Sequence, residues 1–217
     1  VAAACMLHEY AAVAMDPEAE QNAILVARPL LDSPQLSAQR AFQYFHAEGY
    51  THYVHGRYTK ALACFDAADA IERENALPAG NSILVEYQRG FCERRSGMLD
   101  RAEETIRRIE SRPIFASEYM KGGFHALKAG VAFDRGDMPR AIETIFVSYR
   151  SYDDAGDFGG TVLVGTIAAN MAIVGNRFDV ADEMFLRLKE EEYGAAAENY
   201  LGAIVLNRAW LAHRRGD

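Results

Sequence analysis

The sequence predicts an all-α fold, a right-handed superhelical solenoid of antiparallel helix pairs, and three observations predict it. A short motif recurs about every forty residues, apolar residues between the motifs follow a helical period, and Gly, Pro and Asp concentrate in short linkers. The motif is a Gly or Asn, a large apolar or aromatic residue two on, an Ala three further, and a large apolar residue four beyond the Ala. It occurs as Gly56, Tyr58, Ala61, Phe65; as Gly97, Leu99, Ala102, Ile106; as Gly136, Met138, Ala141, Ile145; and as Asn176, Phe178, Ala181, Phe185. The four Ala positions follow one another at 41, 39 and 40 residues.

Each position has a physical task. Gly or Asn after an apolar-periodic stretch is a left-handed cap, where a Cβ normally clashes. The Ala lets a second helix approach the first, and the residue four later lies on the same face. Small residues about seven positions before each cap (Gly49, Gly90, Ala129 with Gly130, Ala169) mark the matching contact on the first helix.

In chain order, residues 2–15 and 17–31 read as a degenerate hairpin, with Asp16 as N-cap and Pro17 at the first helical position. They form an N-terminal piece, 1–36. The array at 37–217 is read as one continuous domain of four hairpins and the first helix of a fifth. Helices are expected at about 38–55 and 58–75, 82–96 and 99–111, 115–135 and 138–151, 159–175 and 178–193, then 196–215. Ser37 is one start for the first of these, although Arg40 stands where a capping box needs Glu or Gln; Ser33 before Pro34 is the rival. The linkers are 77–82, 111–113 and 152–160, and Ile83-Leu84-Val85 is too short a run to argue for a strand. Gly216 lies 40 residues beyond Asn176, at the cap position of a fifth repeat. The chain is therefore expected to be part of a longer polypeptide.

The stretch FHAEGYTHYVHGRYTKALACFDAA carries Gly49, Gly56, Tyr58, Ala61, Phe65 and Ala68 in the pattern of the tetratricopeptide repeat family, which the sequence resembles over residues 38–217. The second repeat keeps Gly90, Gly97 and Ala102, the third Gly136 and Ala141, and the fourth Phe178, Ala181 and Phe185 with Asn176 as cap. The forty-residue spacing exceeds the usual family period of about 34. The resemblance implies a concave wall lined by the first helices: Gln43, His46, Tyr50 and Tyr53, then Leu84, Tyr87, Phe91, Arg94 and Arg95. Ala126, Gly130, Phe133, Asp134, Thr166, Asn170 and Ile173 would continue it. Members that clamp a peptide's terminal carboxylate use Lys, Asn and Arg at inward positions, where this chain has His46, Tyr50, Gly123 and Leu127. That clamp is not expected here.

Composition narrows the function further. The 217 residues carry a formal net charge of −8, which speaks against direct nucleic-acid binding by this segment. Cys5, Cys64 and Cys92 have no paired spacing, so neither a zinc ribbon nor a disulfide scaffold is expected, and a reducing cytoplasm is the expected setting. Phe158–Asn176 is uncharged, but its Gly, Thr and Asn content and acidic flank read as a helix buried on all sides rather than a membrane span.

Nucleotide-loop, nucleophile-elbow and metalloprotease motifs are absent, and no enzyme and no cofactor are expected. Asp157-Phe158-Gly159 reads as linker. Among His46, His52 and His55 the last two are one helical turn apart, yet the reading is of solvated or helix-end histidines and no metal. Cys92, close to Arg89, Arg94 and Arg95, reads as a buried, inert thiol. The charged runs 101–110 and 189–192 read as outer faces.

The long period, with Ala and Arg abundant, also resembles the helical-repeat region of large bacterial signal-transduction ATPase regulators of the maltose-regulon activator type, which end in a LuxR-like helix-turn-helix. That resemblance implies a non-catalytic segment sensing a small-molecule inducer or a protein partner. The alternative is a scaffold that grips a peptide in its groove; a homodimer through exposed repeat ends is compatible with either.

Overall fold

A computed structural model describes residues 36–77, 80–111, 117–188 and 200–216, together with Arg28–Asp32 and positions 19, 22, 23 and 26. The Asp16 cap and residues 2–15 of the expected first hairpin lie outside the described residues, and Arg28–Asp32 is a 3-10 helix. Every other regular element with described bounds is an α-helix. They are α1 (Ala38–Val54), α2 (Tyr58–Asn75), α3 (Gly80–Arg95), α4 (Leu99–Glu110), α5 (Glu118–Asp134), α6 (Met138–Asp154), α7 (Phe158–Val174), α8 (Phe178–Arg187) and α9 (Leu201–Arg215). The described residues fall into two compact units, within Val1–Ser111 and Arg112–Asp217, where the sequence reading has a single continuous array.

The helix ends follow from their caps. Ser37 is the N-cap of α1, its side chain accepting from the Arg40 amide at 3.3 Å, which decides between the two candidate starts. Gly56, Gly97, Gly136 and Asn176 have φ of 70°, 75°, 82° and 56°, the left-handed conformation expected of them. In each case the amide of the next residue closes back on the helix: Arg57 to the His52 carbonyl, Met98 to Glu93, Asp137 to Ala132 and Arg177 to Ala172, at 2.8–2.9 Å. Gly156 and Ala76 are left-handed too, and the same bond runs from Asp157 to Tyr152 and from Leu77 to Glu72.

In the first unit α1 packs on α2 and α3, α2 on α3, and α3 on α4. Phe42, Ala61, Leu62, Phe65, Ala68, Val85 and Cys92 form one core cluster among its described residues. In the second unit α5 packs on α6 and α7, α6 on α7, and α7, α8 and α9 on one another. The motif residues Ala61, Ala102, Ala141 and Ala181 are wholly buried, as their role at helix crossings requires.

Three boundaries differ from expectation, the first being the linker 77–82, which is shorter than expected because Gly80, Asn81 and Ser82 are already in α3. The stretch 152–160 is not one linker: α6 runs through Asp154, a three-residue turn follows, and Gly159 and Gly160 are inside α7. Gly160 is small because Tyr152 fills the space a Cβ there would need, at 2.6 Å. The helix expected over 178–193 ends at Arg187, because Leu188 leaves it to bury its side chain against Gly165. α7 is buried over much of its surface but not on all sides as expected, since Phe158 and Leu163 are exposed, and no helix among the described residues is long and apolar enough to cross a membrane.

Candidate functional site

The first unit brings together most of the residues expected to line a wall. His46, Tyr50 and Tyr53 recur at helical spacing on α1, and Tyr87, Phe91, Arg94 and Arg95 do so on α3. Where α1 meets α3, Tyr53 is the hub. Its ring centroid lies 6.2 Å from Tyr50, 6.3 Å from Tyr58 and 6.2 Å from Phe91 across the helix pair, and Phe91 meets Tyr87 edge-on at 6.3 Å. These separations are within the range of favourable aromatic pairing.

One turn earlier, His46 Nε2 donates to Gln88 Oε1 at 2.9 Å, tying α1 to α3 by a side-chain hydrogen bond. The His46 ring also stacks on Phe42 at 6.4 Å. Burial lowers the His46 pKa from its usual value and the Gln88 bond opposes that shift, which keeps the imidazole neutral. Burial pushes the Tyr53 phenol up to about 12, and the Arg95 charge acts against it, so an exposed guanidinium stands beside the aromatic hub. Arg94 is partly buried. Gln43 is partly buried as well and accepts from Arg40 Nη1 at 3.4 Å.

Tyr87 is buried rather than exposed on a wall, and it supports Phe91 from behind. The expected continuation belongs to the other compact unit, and several of its members serve that unit's interior. Gly130, Thr166 and Ile173 are buried, and Phe133 packs against the core. Asn170 Nδ2 donates to Asn207 Oδ1 at 3.4 Å, while Asn207 Nδ2 donates to the Thr166 carbonyl, so this polar pair braces α7 against α9. Ala126 is partly buried and Asp134 exposed. The candidate site therefore reduces to the α1–α3 face.

The polar face of α3 carries buried charges that are not among the expected wall residues. Arg89 forks between Asp66 (2.7 Å) and Asp69 (2.5 Å) on α2. Glu93 accepts from Thr105 Oγ1 at 2.8 Å and pairs with Arg101 at 3.5 Å, and Glu86 pairs with Arg108 at 3.8 Å. Glu86, Gln88, Arg89 and Glu93 are all buried. A run of Glu, Gln, Arg and Glu on a helix whose other faces are apolar is the signal that could have found them.

Cys92 is buried, and burial, then the neighbouring Glu93, pushes its thiol up to about 12, the opposite of an activated nucleophile. His55 follows the last residue of α1, and its Nδ1 donates to the Thr51 carbonyl at 2.9 Å, a helix-end histidine. Asp157 of the Asp-Phe-Gly tripeptide is the N-cap of α7, accepting from the Gly160 amide at 3.2 Å. No protein-family model matches this sequence, and no curated protein matches it either.

Proposed function

We propose that this chain is a non-catalytic, tetratricopeptide-like binding module, in which antiparallel helix pairs stack as a solenoid and the first helices present a recognition face. The observation that carries the reading is the aromatic ladder from Tyr50 through Tyr53 to Phe91, which joins α1 to α3 with Arg95 beside it. Direct contact between α1 and α3, between α5 and α7, and between α7 and α9 supports the pairing of successive first helices. Tyr and Arg are enriched at recognition hot spots because they offer large, orientable contact area at low entropic cost. The favoured occupant is an extended or helical peptide with apolar anchors and a carboxylate for Arg94 or Arg95.

A second reading, the inducer- or partner-sensing segment of a bacterial transcription regulator, is favoured by the length of the period. The helices α5, α6, α7 and α8 begin at residues 118, 138, 158 and 178, a twenty-residue half-repeat. Calorimetric titration separates the two. A peptide partner whose affinity falls about tenfold or more in Tyr50→Ala and Arg95→Ala supports the module reading. Tight binding of a small molecule, indifferent to both substitutions, supports the sensor.

A further inference from the structure

We propose that Glu48, His52 and Cys64 form a site for a divalent transition metal, zinc in the first instance, between α1 and α2. Glu48 and His52 are four residues apart on α1 and so share one face, and Cys64 comes from α2. What lets α2 reach that face is Gly49. A Cβ there would meet Cys64 Cβ at 3.2 Å and Phe65 Cε1 at 2.6 Å, so the absence of a side chain brings the cysteine to the pair.

One carboxylate oxygen, one imidazole nitrogen and the sulfur all lie within 4.8 Å of one another. Ligand atoms around a tetrahedral zinc, at about 2.0–2.3 Å from the ion, are separated by about 3.5 Å, so a side-chain adjustment of about an ångström closes the set. The surroundings also point to an occupant. His52 Nδ1 is buried without a hydrogen-bond partner. A buried polar atom without a partner is costly, and coordination through Nδ1 would satisfy it.

The donor set of one nitrogen, one sulfur and one oxygen suits zinc. Two of the three donors are anionic once the thiol ionises: the Cys64 S–H bond breaks, the S–metal bond forms, and the proton passes to solvent. Three protein ligands leave a fourth position for water. This site is independent of the α1–α3 recognition face, and neither depends on the other.

The test uses the full chain freed of metal by chelation and then titrated with Co2+ and with Zn2+. One equivalent of Co2+ is expected to bind with a thiolate-to-cobalt charge-transfer band. Cys64→Ser is expected to abolish that band, and His52→Ala and Glu48→Gln to weaken binding roughly tenfold or more. Cys5→Ser, Cys92→Ser and His55→Ala should leave both band and affinity unchanged. Zn2+ should raise the thermal midpoint of the parent chain and not that of Cys64→Ser. A measurement free of substitutions guards against variants that fail to fold: in the parent chain, Zn2+ should slow alkylation of Cys64 roughly tenfold, mapped by mass spectrometry. Absence of stoichiometric binding, a charge-transfer band that survives Cys64→Ser, or unchanged Cys64 labelling in Zn2+ would overturn the proposal.

Discussion

Gly49 of α1 and Phe65 of α2 are in such close contact that a Cβ on residue 49 would stand 2.6 Å from Phe65 Cε1 and 2.8 Å from Cδ1. Phe65 is wholly buried. An Ala at 49 gains helix propensity worth about 1 kcal/mol, but the overlap forces α1 and α2 apart at a cost of about 1–3 kcal/mol. Gly49→Ala is therefore expected to destabilise the chain by about 1 kcal/mol net. Urea unfolding measures this, and a midpoint equal to or above that of the parent would show the contact to be looser than described.

Ala76 ends α2 with φ 48° and ψ 45°, a left-handed conformation that costs an L-residue with a Cβ about 1–2 kcal/mol. Glycine adopts it freely but loses about 0.4–1 kcal/mol through the entropy of the unfolded chain. Ala76→Gly should accordingly stabilise by about 0.5–1 kcal/mol. Gly136, with φ 82° and no atom within 4 Å of the place a Cβ would take, is the converse. Gly136→Ala should destabilise by about 1 kcal/mol through backbone conformation alone. Thermal unfolding of both variants tests the pair, and shifts of the same sign would overturn it.

These two sites also explain how far the helices were legible in the sequence. Gly56, Gly97, Gly136 and Asn176 announce their turns because Gly and Asn are the residues that tolerate positive φ. Ala76 takes the same conformation with no such signal. Gly159 and Gly160 mislead in the other direction: they look like helix breakers, yet both are in α7, where Tyr152 occupies the space a side chain at Gly160 would take. The aromatic partners on α1 and α3 are among the residues that the tetratricopeptide resemblance places on the inward side of the first helices. The α3 residues that hold the face rigid are not, because a buried Arg89 is defined by Asp66 and Asp69, more than twenty and exactly twenty positions away.

Arg89 makes a testable claim of its own. Its side chain is buried and both terminal nitrogens are used, on Asp66 at 2.7 Å and Asp69 at 2.5 Å. Burial raises the Asp69 pKa and the Arg89 charge acts against that, so removing the guanidinium leaves a partly buried carboxylate with weaker compensation. Arg89→Ala should cost about 2–3 kcal/mol. Adding Asp69→Asn should recover part of the loss, since it removes the charge left behind. Chemical denaturation of the parent, both single variants and the double variant gives the coupling, and strict additivity would mean that the pair contributes nothing.

The His46–Gln88 bond predicts a dependence on pH. The folded His46 pKa lies below the ordinary 6.5, with burial as the larger cause and the Gln88 bond opposing it. Between the folded and unfolded values the unfolded chain binds more protons, so stability rises with pH in that interval. The contribution is fully present above about 6.5 and is lost as pH falls below it. His52 is displaced in the same direction, to about 4, by burial first and then by Arg57, Lys60 and His55, so it adds to the slope. The thermal midpoint of the metal-free chain should therefore fall between pH 7 and pH 5.5. Glutamine at 46 keeps a neutral donor for Gln88 but cannot titrate, so His46→Gln should make that fall shallower, with the remainder due to His52. A chain of this size moves about 2–4 °C per kcal/mol, which brings the difference within reach of calorimetry. Equal slopes in parent and variant would mean that His46 keeps its ordinary pKa in the folded chain.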